Sequence, residues 1–271
     1  MKLSTQHFES DFRRQIVTIV AIVGSIVVNT VSNIFPLNGE NVGKLSNTLF
    51  ADVQVIPANY AFAIWGLVYV GLIAFGIAQL QPNQRQNPRL QQGGYRLAIA
   101  CAAQCIWIYL FLARLFPLST LAMLGIVVPL IGLYKSLHDP DLQSDQKSSQ
   151  RRVSQKERWL IHVPISLYLG WITVATVVNV AIALYSMGWS GWGISSEIWT
   201  VMVMVVSAAI AAIVNVQRRD MTYLLVIVWA LVGITIRQMG TPLIAVTGGV
   251  LAIALVLLSV ATRFKALRSY G

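Results

Sequence analysis

Charged side chains are scarce in this sequence. Asp, Glu, Lys and Arg make up only 11% of its 271 residues, whereas a soluble domain carries about 25%. Hydrophobic residues account for 56% of the chain, and the mean hydropathy is +0.67. This composition excludes an ordinary soluble domain and predicts an integral, multi-pass membrane protein.

Groups that usually carry catalysis or hold metals are also few. The chain has three histidines and two cysteines, and it lacks paired-histidine metal motifs, G-x-S-x-G elbows and glycine-rich phosphate loops. Cys101 and Cys105 lie one helical turn apart in an apolar run, which favours inert thiols. No Asp or Glu falls inside an apolar segment, although proton-coupled carriers usually have one there. We therefore expect neither an enzyme nor an ion-driven carrier.

Eight apolar segments are each close to the length that crosses ~30 Å of hydrocarbon as a helix. Unpaired backbone groups are costly in lipid, so such segments must be helical. The predicted fold class is an all-α, polytopic membrane bundle of about eight transmembrane helices. The segments span residues 16–35, 60–80, 95–115, 118–135, 159–185, 198–216, 221–238 and 241–261.

Basic residues orient this bundle, because the cytoplasmic loops of membrane proteins are rich in Lys and Arg. With both termini in the cytoplasm, only Lys44, Arg114 and Arg237 of the 20 basic residues face outward. The net charge of +10 then comes from basic residues that flank the helices at the cytoplasmic surface of the membrane. We expect membrane lipid as a partner and no nucleic acid.

Two connections between the predicted helices are long. The outer one, residues 36–59, contains two prolines and is expected to fold over the bundle as a lid. The inner one, residues 136–158, is expected to be solvated, with its basic residues near anionic lipid head groups. Trp189, Trp192 and Trp199 lie near an outer membrane boundary, as in an interfacial aromatic belt.

Aromatic and amide side chains recur on one face of three predicted helices. Rows of flat rings with a few amides suit a planar apolar ligand that needs stacking and one or two hydrogen bonds. The alternative is ordinary helix packing, in which the amides bond to neighbouring helices. The stripes comprise Phe62, Trp65 and Tyr69 in the second helix, Gln104, Trp107 and Phe111 in the third, and Tyr168, Trp171, Ala175 and Asn179 in the fifth.

The same residues carry a resemblance to the TspO/MBR family, the tryptophan-rich sensory or translocator proteins. Residues 56–69 read IPANYAFAIWGLVY, which resembles the family's loop and start of the second helix. Residues 104–111 (QCIWIYLF) resemble its N-x-x-W-x-x-L-F, and residues 167–179 (LYLGWITVATVVN) its P-Y-L-A-W-x-x-x-A-T-x-L-N. The departures are Gln104 for asparagine, Leu167 for proline, Gly170 for alanine and Val178 for leucine.

The resemblance implies a five-helix core over residues 14–185. Three additional transmembrane helices at 186–261 and a cytoplasmic tail at 262–271 lie outside it. It also implies that the protein binds a tetrapyrrole such as protoporphyrin IX or haem, or another lipid, for sensing or transport, with no cofactor required. Trp65, Tyr69, Gln104, Trp107, Trp171 and Asn179 are implied to line the site under the outer loop. The expected location is a bacterial cytoplasmic membrane or a thylakoid-type membrane.

Two other interpretations remain open at this stage. The first is a facilitative carrier of small apolar molecules, although no repeat between the two halves of the chain favours it. The second is a structural or assembly subunit of a membrane complex, docked through the last three helices. A homo-oligomer formed through the same helices is the alternative to a partner in such a complex.

Overall fold

The computed structural model describes residues 2–85, 87–138 and 154–268, with side chains from residue 11 to residue 264 within those ranges. In these ranges the chain forms helices and no strands, which confirms the all-α fold class. The eight long helices are α1 (Lys2–Ile34), α2 (Ile64–Gln79), α3 (Arg96–Leu112), α4 (Phe116–Leu137), α5 (Val163–Ser186), α6 (Ser196–Arg218), α7 (Met221–Arg237) and α8 (Pro242–Arg268).

Most of these helices have the length and composition of membrane spans. Among the described residues, six helical stretches meet both conditions. Helices α3 and α7 are apolar but have 17 residues each, which corresponds to about 25 Å at the rise of an α-helix. The predicted polytopic bundle is thus confirmed, while the number of crossings and the orientation stay predictions.

Helix boundaries differ from the predicted spans mainly at the two termini. Helix α1 already begins at Lys2 and α8 continues to Arg268. A helix can continue through polar residues beyond an apolar segment, and hydropathy does not detect that part of it. Most of the predicted tail is therefore helix, and residues 269–271 lie outside the described residues. The predicted inner loop also lies outside them from 139 to 153.

Hydrogen bonds between helix ends show that successive helices run in opposite directions. We call the end at which the chain enters α1 the inner end, following the predicted orientation, and the opposite end the outer end. At the inner end the bonds join Arg14 to Leu90 O (2.8 Å), Asn87 to Glu157 (3.0 Å), Tyr134 to Asp220 (2.9 Å) and Asn215 to Thr262 (3.2 Å). At the outer end they join Asn38 to Leu112 O (3.4 Å), Tyr185 to Asp52 (3.1 Å) and Gln238 to Gln54 O (3.1 Å).

A two-residue turn connects α6 and α7. Arg219 ends α6 with a left-handed backbone (φ 52°), and Asp220 caps α7 by accepting the backbone N–H of Tyr223 at 3.1 Å. The buried Asp220 carboxylate also accepts the Tyr134 hydroxyl at 2.9 Å. One carboxylate therefore both starts α7 and fixes its inner end against α4.

Close packing joins α8 to the rest of the C-terminal helices. A Cβ atom on Gly248 would contact Thr235 of α7 and lie 3.0 Å from the Met204 side chain of α6. Gly249, its neighbour, has nothing within 4 Å of its would-be Cβ. Gly248 thus allows the close helix approach, and Gly249 plays no part in it.

The outer segment, residues 36–59, lies across the outer end of the bundle, as expected for a lid. It contains a 3-10 turn at Leu37–Gly39 and a short helix at Val42–Thr48, capped by Asn41. Phe50 packs edge-on against Phe116 of α4, with ring centroids 4.8 Å apart. The outer segment is therefore part of the packed structure.

Candidate functional site

A cavity lies in the outer half of the bundle, between α2, α3, α5 and the outer segment. It contains about 430 Å³ of empty space, a figure that includes the solvent at its open side. Its surface is mostly apolar, and aromatic rings form a large part of it. The lining residues are Val42, Ser46, Pro57, Phe62, Trp65, Trp107, Phe111, Trp171, Val174, Ala175, Val178, Asn179 and Ile182.

Most of the residues predicted from the three stripes meet around this cavity. Seven of the ten line it: Phe62, Trp65, Trp107, Phe111, Trp171, Ala175 and Asn179. Val174, Val178 and Ile182 were missed, although they lie on the face of the α5 stripe at helical spacing and could have been found. Val42, Ser46 and Pro57 of the outer segment were also missed, because periodicity within one segment does not show which other helices that segment covers. Whether these residues bind a ligand stays a prediction.

The Trp171 ring contacts two other rings of the cavity wall edge to face, while the Trp107 and Phe111 rings meet at a tilt of 40°. The Trp171 ring lies 5.9 Å from Phe62 and 6.4 Å from Trp65, both at 88°, a favourable arrangement for aromatic pairs. A flat ligand stacked between two rings needs ring planes ~7 Å apart, at about 3.5 Å for each contact. The two Trp171 pairs, at 88°, leave no such gap between parallel ring planes.

Tyr69, Gln104 and Tyr168 lie outside the cavity lining, about one turn toward the inner end. The Gln104 Nε2 donates to the Tyr69 hydroxyl at 2.9 Å, and the Tyr168 hydroxyl donates to Gln104 Oε1. Tyr69 in turn stacks against Trp65, with centroids 5.5 Å apart at 21°. The Gln104 amide thus joins α2, α3 and α5. It positions the Trp65 ring through Tyr69 and does not line the cavity itself.

Asn179 uses its whole amide inside the bundle. Its Oδ1 accepts the indole N–H of Trp107 at 2.8 Å. Its Nδ2 donates to the hydroxyls of Ser119 at 3.0 Å and Thr120 at 2.7 Å. The side chain therefore links α3, α4 and α5 and fixes the Trp107 ring in the cavity wall. Gln104 and Asn179 therefore both make the contacts expected of ordinary helix packing, with their amides bonded to neighbouring helices.

Trp171 has a polar atom that the surrounding protein does not satisfy. The side chain is 2% exposed, and its Nε1–H has no hydrogen-bond acceptor among the described residues. An indole nitrogen can only donate, and a buried donor without an acceptor costs about 1–3 kcal/mol. A ligand with an acceptor atom at this position would remove that cost.

Helix α7 fixes the part of the outer segment around Pro57, which covers the cavity and is called its roof here. A Cβ atom on Gly233 would lie only 2.9 Å from the Cβ of Pro57, the roof residue that lines the cavity. This close approach allows a row of hydrogen bonds between α7 and the chain around Pro57. They run from Ala58 N to Gly233 O (3.0 Å), from Trp229 Nε1 to Ala61 O (2.9 Å), from Gln238 Nε2 to Gln54 O (3.1 Å), and from Arg237 to Asn47 and to Ala51 O (3.3 Å).

The donor set of the cavity suits a metal-free ligand better than haem. None of the described residues that line it carries an imidazole, thiol or thioether for an iron atom. His138 and His162 face each other at the inner end, with ring centroids 5.1 Å apart. In the described ranges no group of three or more His, Cys, Asp or Glu side chains could hold a metal.

Comparison with known protein families gives a match over most of the chain. A family model described as TSPO-like protein matches residues 15–261. The match extends through α6, α7 and α8, beyond the five helices to which the sequence motifs belong. The division of the chain at residue 185 stays a prediction. No curated protein and no solved structure matches the chain.

Proposed function

Because the chain belongs to the TSPO-like protein family, we propose that it binds a planar apolar ligand of the tetrapyrrole type in the cavity under the outer segment, for sensing or transport. The resemblance found in the sequence is confirmed by the family match. Together with the six apolar helical stretches it identifies an integral, multi-pass membrane protein. The host membrane and the cytoplasmic position of both termini stay predictions.

The aromatic lining of the cavity carries the proposal, together with the unpaired N–H of Trp171, one of its lining residues. Five rings line the cavity, from Phe62, Trp65, Trp107, Phe111 and Trp171. Stacking on such rings is worth about 0.5–1.5 kcal/mol per pair beyond the area buried. The Trp171 donor then adds one directional contact to a ring nitrogen or carbonyl of the ligand.

Free-base protoporphyrin IX fits this site better than haem. It needs stacking surface and hydrogen-bond partners but no axial ligand. The two amides, Gln104 and Asn179, act on the ligand through Trp65 and Trp107, whose rings they position. Haem would have to bind without an iron ligand from the cavity wall and is therefore expected to bind no more tightly than the free base.

The test is a titration of protoporphyrin IX with the purified full-length protein in detergent, followed by porphyrin absorbance and fluorescence. Trp171→Phe keeps a stacking ring but removes the N–H, and Trp171→Ala removes both. Trp192→Ala is the matched control, because this side chain is 77% exposed and its ring contacts are with Trp189 and Trp199, outside the cavity lining.

We expect saturable binding to the unchanged protein and to Trp192→Ala. The affinity should fall in Trp171→Phe and fall further in Trp171→Ala, since the hydrogen bond and the ring are lost in turn. Equal affinities in all four proteins would mean that the rings serve packing alone and would refute the proposal.

A further inference from the structure

A second cavity lies directly beside the first, between α5, α6, α7 and the outer segment. It encloses about 320 Å³, counting its open side. Val174 and Val178 of α5 line both cavities and form the wall between them. In the outer segment, Pro57 borders the first cavity and Val55 the second. The two spaces are therefore neighbours under one roof.

The chemistry of the second cavity differs from that of the first. Its lining consists of Val, Ile, Leu, Met and Ala side chains with one serine, and it includes no aromatic ring. The hydroxyl of that serine, Ser207, donates to the backbone oxygen of Val203 at 2.8 Å. The cavity thus offers neither stacking surface nor a free polar group, and it suits an aliphatic chain.

One side of the second cavity reaches the surface of the bundle. On the side away from the surface, the wall is formed by buried residues of α7: Ile227, Ala230 and Leu231. Val177 of α5 and Val203 and Ser207 of α6 are half-buried on the other side. A chain in this cavity would therefore extend from the Val174–Val178 wall toward the lipid between α5 and α6.

We propose that the two cavities form one site for a ring that carries a long aliphatic chain, with the ring in the first cavity and the chain in the second. The inference rests on the proposed function, because the first cavity must hold the ring. It names the ligand class as a tetrapyrrole or similar flat ring esterified with a phytyl or polyprenyl chain. The chain leaves an apolar solvent on binding, so the added affinity comes from packing against α6 and α7.

The test compares two ligands that share a macrocycle and differ in the chain. The methyl and phytyl esters of pheophorbide a are both metal-free, and each is titrated into the full-length protein in detergent without added phospholipid. We expect the phytyl ester to bind about tenfold more tightly than the methyl ester, as a shaped apolar pocket allows.

Filling the second cavity should remove this advantage. Ala230→Phe fills it from α7, and Val203→Phe fills it from its half-buried edge, where a larger ring is better tolerated. Ala209→Phe is the matched control, since Ala209 is exposed on α6 and outside the lining. The ratio of the two affinities should fall to about one in both filling variants and stay near tenfold in the control. The methyl ester should bind all four proteins equally, which also verifies that the first cavity has folded.

The possible results separate this inference from the proposed function. If the methyl ester binds but the phytyl ester has no advantage, or if the advantage survives both filling variants, the second cavity does not hold the ligand's chain. It is then packing space or a place for a bilayer acyl chain, and the inference is overturned alone. If neither ester nor protoporphyrin IX binds the unchanged protein, the proposed function fails and the inference fails with it.

Discussion

Replacing Gly233 by alanine tests whether α7 positions the roof of the cavity. The added Cβ would lie 2.9 Å from the Cβ of Pro57 and 3.1 Å from that of Ala61. Carbon atoms in ordinary contact are about 3.5–4.0 Å apart. The roof must therefore move away from α7 by roughly 0.6 Å or more, which stretches the Ala58–Gly233 hydrogen bond of 3.0 Å.

The magnitude follows from two opposing effects. Overpacking of this kind costs about 1–3 kcal/mol, whereas alanine in place of a helical glycine stabilises by about 0.5–1 kcal/mol. Gly249→Ala in α8 isolates the second effect, because nothing lies within 4 Å of its would-be Cβ. We expect Gly233→Ala to be less stable than Gly249→Ala by about 1–3 kcal/mol.

The assay combines thermal unfolding in detergent with hydrogen exchange of peptides that cover residues 55–62. Exchange in this region should be faster in Gly233→Ala, since the Ala58 N–H loses its fixed acceptor. The dissociation of bound porphyrin should also be faster. If Gly233→Ala matches Gly249→Ala in stability and in exchange, α7 does not hold the roof and the reasoning is wrong.

Three further predictions concern buried polar groups. Asn179→Leu removes three interhelical hydrogen bonds of about 0.6 kcal/mol each in a membrane protein. The free energy of unfolding in detergent should therefore fall by about 2 kcal/mol. An unchanged free energy would refute the role of Asn179 in linking the helices. Gln104→Leu removes the hydrogen-bond partner of the Tyr69 and Tyr168 hydroxyls. It should weaken porphyrin binding less than Trp171→Ala, and an equal or larger loss would place Gln104 at the ligand. Burial lowers the pKa of His138 at the end of α4, so the unfolded chain takes up a proton below about pH 6.5 before the folded protein does. The melting temperature should therefore fall as the pH drops from 7 toward 5, and less so in His138→Gln; equal slopes would exclude this histidine as a source.

The helices could be predicted because apolar length is itself the physical requirement for spanning lipid. Helical spacing also predicted that Trp65, Trp107 and Trp171 line one site, since each lies in a stripe on one face of its helix. The extension of α1 to Lys2 was not predictable in this way, because hydropathy says nothing about helix outside the membrane.

The rest of the site depends on contacts between distant parts of the chain. Gln104 was predicted to line the cavity, yet its amide lies between two tyrosines of neighbouring helices. Pro57 reaches the cavity because Gly233, far along the chain, lets the two backbones meet. Helical periodicity describes one helix at a time, so it contains no information on such pairings.

The roof contact also sets the order in which the site can form during synthesis. Chains are made from the N-terminus, and their parts generally fold as they emerge. The aromatic walls on α2, α3 and α5 are complete well before Gly233 and Arg237 leave the ribosome. Until α7 inserts, the outer segment lacks the hydrogen-bond partners that α7 supplies. The hydrogen bonds between α7 and the outer segment can therefore form only after the aromatic walls of the cavity have been made.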